Sequence, residues 1–114
     1  MQIDTQTIET LRGAVQTQRL VETAIELVEI PSPTRDAAAV ADKLAEILHR
    51  DGFEVERPSA GWEKAPAVVA HYHTGKRGPT LQFNGHLDTV HLPFVPPRVE
   101  NGMLYGSGAS DMKG

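Results

Sequence analysis

The stretch Phe83-Asn84-Gly85-His86-Leu87-Asp88-Thr89-Val90 sets a histidine and an aspartate two residues apart, just after an apolar run. In an extended chain alternate side chains share a face, so a carboxylate at 88 can lie beside an imidazole at 86. That pairing suits a metal-binding histidine, whose second ring nitrogen must be held and whose basicity a carboxylate raises. Gly85, with no side chain, leaves room for another group to approach. The same short pattern also fits a surface pair at a strand end. A further carboxylate, Asp111, follows the glycine-rich approach Gly106-Ser107-Gly108-Ala109-Ser110. Its two oxygens can bridge cations ~3.5 to 4 Å apart, although an aspartate after Gly and Ser also serves as a helix cap or turn residue.

The remaining candidates have bland readings. His71 and His73 share a strand face, yet no carboxylate or third histidine follows at ligand spacing, so they read as a solvent-facing or hydrogen-bonded pair. His49 suits the negative end of a helix dipole. His91, with Pro93, Pro96 and Pro97 nearby, reads as a loop residue close to the candidate site. Lys113 reads as a solvated lysine, with service to an anionic group as the alternative.

Several elements must position these groups. Leu20, Val21, Ala24, Leu27 and Val28 recur at helical intervals from Thr17 to Ile30, and Pro31 and Pro33 end that helix. A second helix is predicted from Arg35 to Asp36 onward, with Thr34 as its cap, Ala37, Val40, Ala41, Leu44, Ile47 and Leu48 on one face, and Gly52 as its left-handed exit. Phe53 and Val55 alternate with Glu54 and Glu56 as in a half-buried strand. Ala67 to His73 and Thr80 to Asn84 are β-prone and flank a turn, which predicts a hairpin. Asn101-Gly102 predicts a second, between Arg98-Val99-Glu100 and Met103-Leu104-Tyr105. The whole predicts an α/β layer, helices packed on a mixed sheet. The glycine-rich end looks like the entry to another element, so the chain reads as a piece of a longer domain.

Composition narrows the chemistry. With 114 residues the chain amounts to one domain or part of one, and with aromatics at 5% its core must be aliphatic. Eleven Lys plus Arg against fifteen Asp plus Glu, a net charge of -4, leaves no basic excess for a phosphate backbone, and no nucleic-acid partner is expected. The absence of cysteine excludes a disulfide framework, a thiolate zinc finger and a cysteine nucleophile, so any metal must use His and carboxylate ligands. Met1 to Leu11 lacks the basic start and apolar run of a secretory signal, and no stretch approaches the ~20 apolar residues that span a bilayer. The expectation is a cytoplasmic protein with no membrane partner.

Together and in this order, Asn84-Gly85-His86-Leu87-Asp88-Thr89-Val90 and Leu104-Tyr105-Gly106-Ser107-Gly108-Ala109-Ser110-Asp111-Met112-Lys113-Gly114 resemble the M20 family of zinc metallopeptidases and deacylases. Pro31-Ser32-Pro33-Thr34, Gly52-Phe53-Glu54-Val55 and Asn101-Gly102-Met103-Leu104-Tyr105-Gly106 extend the likeness from about residue 17 onward. The resemblance implies that residues 1–114 are the N-terminal portion of a zinc-exopeptidase-like catalytic domain, without its remainder and without the lid or dimerisation domain. It implies two zinc ions per complete site, which His and carboxylate ligands would also grant to Co2+ or Mn2+. His86 would be a metal ligand, Asp111 the bridging ligand, and Asp88 the catalytic-site carboxylate that orients His86.

The implied reaction is hydrolysis of an amide bond in a small N-acyl amino acid or peptide, by a complete protein that is compatible with a homodimer. Two departures stand out: Ser107 occupies a position where the family usually has arginine, and the link His91 to Arg98 is short and proline-rich. The family's paired glutamates, one of them the general base, its further carboxylate ligand and its last histidine all lie beyond the position of Asp111. The chain alone is therefore expected to be inactive. The rival reading is a non-catalytic metal- or ligand-binding module with the same fold.

Overall fold

A computed structural model describes residues 2–90 and 92–114. Among these residues three helices, α1 (Thr5–Ala14), α2 (Thr17–Val28) and α3 (Ala38–Arg50), precede four short strands, β1 (Glu54–Glu56), β2 (Val69–His71), β3 (Arg98–Glu100) and β4 (Met103–Tyr105). The chain is α/β, as its patterning predicts. The mixed sheet takes the form of two separate antiparallel ladders, β1 with β2 and β3 with β4, and one isolated parallel bridge between Pro33 and Thr89.

Helix α1 was not predicted from periodicity. None of its residues is buried, and it is set instead by Asp4, whose carboxylate accepts from the Thr7 amide at 2.8 Å as an N-cap. Helices α2 and α3 supply the core. Leu27, Ala37, Val40 and Ile47 cluster there, with Ile30, Leu44 and Leu87 packed against them, and Val28 and Val40 are wholly buried. Leu87 therefore ties the stretch bearing His86 and Asp88 to the helical core. That core is small: the accessible surface is 9106 Å², against ~6,100 Å² for a compact monomer of this mass. The described residues include no helix long and apolar enough to cross a membrane.

Helix α3 starts at Ala38, later than predicted, and its N-cap position is Ala37 with no side-chain cap. Thr34 is not a cap; its hydroxyl is used elsewhere. Gly52 is the expected left-handed exit, at φ +90°, and its amide donates to the His49 carbonyl at 3.0 Å.

The hairpin expected between 67–73 and 80–84 does not form. Val69–His71 pairs with β1 in the register Glu54–His71, Val55–Ala70 and Glu56–Val69, and residues 80–84 stay unpaired, with Leu81 78% and Phe83 88% exposed. Pro79 stands between the turn and the second run, where a tight hairpin would need an N–H for its ladder. The other predicted hairpin is present, with Glu100 opposite Met103. Asn101 and Gly102 both have positive φ, +52° and +75°, the signs that a two-residue turn of this hand requires.

Candidate metal centre

The stretch 86–89 is held against the segment that leaves α2. The Ser32 hydroxyl, on a residue only 1% exposed, donates to the Leu87 carbonyl at 2.8 Å. In return the Thr89 amide donates to the Ser32 carbonyl at 2.8 Å. These bonds and the Pro33–Thr89 bridge fix the backbone on both sides of Asp88.

The C-terminal loop is brought to the same place by close packing and one buried amine. Gly108 has φ +85°, and a Cβ there would stand 2.6 Å from the Thr89 methyl carbon, so the loop lies against Thr89 at a distance only glycine permits. Lys113 corrects the reading of a solvated side chain: it is 7% exposed and its ammonium donates to the Ile30 carbonyl at 2.7 Å. Burial lowers its pKa from the ordinary lysine value. Its amide donates to the Gly108 carbonyl at 2.8 Å, closing the loop that carries Asp111. The Asp111–Met112 peptide bond is cis.

His86, Asp88 and Asp111 consequently converge. His86 Nδ1 lies 2.8 Å from the Asp88 carbonyl oxygen and 3.3 Å from Asp88 Oδ1, while Nε2 lies 2.9 Å from Asp111 Oδ1. The second oxygen of Asp88, Oδ2, accepts from the Thr34 hydroxyl at 2.6 Å. Both ring nitrogens therefore face acceptors, and an imidazole donates to both at once only when it carries two protons. This arrangement raises the His86 pKa above its usual 6.5. The Asp88 carbonyl is the largest cause and the Asp111 hydrogen bond the next, with partial desolvation opposing them.

Because the folded value lies above the unfolded one, the contribution to stability is fully present below the unfolded value. It is lost as pH rises through the folded value. An NMR titration of the metal-free chain should place the His86 midpoint above 6.5. Asp111→Asn should lower it, whereas Asp88→Ala should leave the larger backbone contribution in place. A midpoint at or below the ordinary value would contradict this geometry.

The donor set fits a divalent cation. Nε2 and an Asp111 carboxylate oxygen stand 2.9 Å apart, with further negative charge from Asp88, and once Nε2 gives up its proton they make the neutral imidazole and carboxylate pair that zinc takes. Asp88 faces Nδ1 and so acts on the ring rather than alongside Nε2. No group of three or more His, Asp or Glu side chains is arranged to hold a metal among the described residues. Beside Asp111 lies an open cleft of about 420 Å³, bordered also by Arg98, Tyr105, Ser107 and Ser110.

The other histidines lie apart from this cluster or outside the described residues. His71 and His73 face β1, with Nε2 atoms 3.6 Å from Glu56 Oε1 and 3.8 Å from Glu54 Oε2 respectively, and their rings are stacked. His49 lies in the last turn of α3. His91, expected as a loop residue near the site, lies outside the described residues. The residues that sequence reasoning missed are Ser32, Thr34 and Lys113. For the first two a signal existed in hydroxyls set among prolines at a helix exit, a place where side chains bond outward rather than extend a helix.

Comparison with known proteins gives a consistent set of relatives. The chain is 39% identical over 102 residues to the succinyl-diaminopimelate desuccinylase of Methylobacterium radiotolerans, a match covering 80% of this chain and 25% of that protein. It is 37% identical over 100 residues to the protein of the same name from Xanthobacter autotrophicus, covering 80% and 26%. It is 39% identical over 100 residues to that from Anaplasma marginale, covering 82% and 26%. The chain thus spans about a quarter of the length of the curated relatives it matches. No protein-family model and no solved structure matches it.

Proposed function

From the premise that this chain belongs to the M20 family, as its desuccinylase relatives show, we propose that it supplies part of the metal centre of an amide-hydrolysing deacylase. The observation that carries this reading is the convergence of His86 Nε2 and Asp111 Oδ1, with Asp88 on the opposite ring nitrogen. His86 and Asp111 are the metal ligands, and Asp88 positions His86. Zinc held by these residues would supply Lewis acidity toward an amide carbonyl.

The chain's own residues prepare that site. Once the proton on Nε2 is displaced, Nδ1–H remains donated to Asp88, which fixes the tautomer and presents the Nε2 lone pair. Asp111 keeps a full negative charge beside it, and its two oxygens allow it to serve two cations. Arg98, which pairs with Glu100 at 3.5 Å and lies over the Tyr105 ring, borders the cleft beside Asp111, and the substrate class we infer from the relatives' name is an N-succinyl amino acid.

The test uses the full open reading frame that encodes these residues. If it encodes further polypeptide with a Glu-Glu pair after the position of Gly114, the purified product should release succinate from N-succinyl amino acids, and a chelator should stop it. A folded, zinc-loaded product with no turnover across a broad amide panel would favour a metal- or ligand-binding module instead.

A further inference from the structure

Thr34 stands in the loop between α2 and α3, and its position is tightly specified. Ser32 exchanges two hydrogen bonds with the backbone at Leu87 and Thr89, and the Asp36 amide closes a turn on the Pro33 carbonyl at 2.8 Å. Arg35 follows at φ +72°. The loop thereby delivers the Thr34 hydroxyl to Asp88 Oδ2 at 2.6 Å, across a sequence separation of 54. Thr34 is exposed and makes no helix cap, and among the described residues this bond is the one hydrogen bond of its side chain.

The bond matters because of what lies on the other side of the carboxylate. Rotation about the last side-chain torsion of an aspartate is soft. Asp88 Oδ1 lies 3.3 Å from His86 Nδ1, whose hydrogen bond goes to the Asp88 main-chain carbonyl at 2.8 Å, so without a partner for Oδ2 the carboxylate plane would be free to swing away from the ring. A donor on Oδ2 fixes that plane. The branched Cβ of threonine narrows the hydroxyl's own rotamers, so less ordering remains to be done when the bond forms.

We infer that Thr34 is a positioning residue for the metal centre: its hydroxyl holds the Asp88 carboxylate beside His86 Nδ1, where the carboxylate adds to the hold of the Asp88 main-chain carbonyl on the ring and strengthens His86 as a cation ligand. This rests on the reading of His86 and Asp111 as metal ligands. Neither the family likeness nor the pattern of carboxylates and histidines assigns Thr34 this part.

The experiment titrates zinc alone into the 114-residue chain by calorimetry, with far-UV circular dichroism confirming that each variant keeps its helices. His86→Ala should abolish the binding. Thr34→Val should weaken it about 3 to 10-fold, less than the ~10 to 100-fold typical of partners that touch a ligand directly, because Thr34 acts one residue further out. Thr34→Ser should restore affinity to within about twofold, since it returns the donor. In an Asp88→Ala background, Thr34→Val should change nothing further, because the carboxylate it orients is gone.

Unchanged affinity in Thr34→Val while His86→Ala loses binding would overturn the inference and leave the metal reading intact. An equal additional loss in the Asp88→Ala background, or a failure of Thr34→Ser to recover, would also overturn it, as would be expected of a merely structural residue. Zinc binding that His86→Ala does not alter would overturn the metal reading and the inference with it.

Discussion

Zinc added to the purified 114-residue chain should elicit no hydrolysis of N-succinyl amino acids, N-acetyl amino acids or dipeptides above background. A catalytic zinc normally takes three protein ligands and an open position, whereas His86 and Asp111 provide two side chains. Asp88 is committed between His86 and Thr34, and no larger His and carboxylate group arranged for a metal exists among the described residues. The segments 86–89 and 105–113 contain no glutamate, and a positioned base contributes ~10² to 10⁴-fold on its own. Turnover should appear only with further polypeptide that brings the remaining ligands and a base. Chelator-sensitive hydrolysis by the 114-residue chain alone would refute this account of the site.

Asp111→Asn should cause the largest loss of metal among single substitutions that keep side-chain shape. The amide preserves an oxygen toward His86 Nε2 but removes the negative charge that a dication requires. The loss of zinc affinity should exceed the ~10 to 100-fold typical of an outer partner. In a complete protein with two metals, stoichiometry measured by elemental analysis should fall to one or none. The substitution also relieves the raised His86 pKa, so proton competition for Nε2 weakens at the same time. That gain is secondary, because the imidazole still meets the Asp88 carbonyl at 2.8 Å. Two metals retained at full occupancy would show that Asp111 is not a ligand.

What the sequence made legible is what short-range chemistry encodes. His86 and Asp88 lie two residues apart, and backbone alternation alone brings imidazole and carboxylate together. Asn101-Gly102 carries its turn in its own dihedral preferences, and the apolar spacing of α2 and α3 marks their shared core. The pairing of β2 with β1, rather than with 80–84, turned on competition between two partners, to which period-two patterns are blind. Thr34 on Asp88 and Lys113 on Ile30 join residues 54 and 83 apart. A hydroxyl or amine has no periodicity that reveals its distant acceptor, so Thr34 reads as a cap and Lys113 as a surface charge until the fold brings their acceptors to them.

The clasp between the α2 exit and the site also dictates an order of assembly. Ser32 meets Leu87 and Thr89 across separations of 55 and 57 residues, and Lys113 reaches Ile30 across 83. Closing such loops costs chain entropy before any contact rewards it, so these bonds should mature after the helices that receive them. Synthesis proceeds from the N-terminus, and on the ribosome α2 and α3 can pair while His86 has yet to be made. The helical pair should then serve as a template on which the 86–89 stretch and finally the Asp111 loop are laid down. By this argument the corner that holds His86 and Asp111 should be the last of these parts to acquire its shape and, in partial unfolding, the first to lose it.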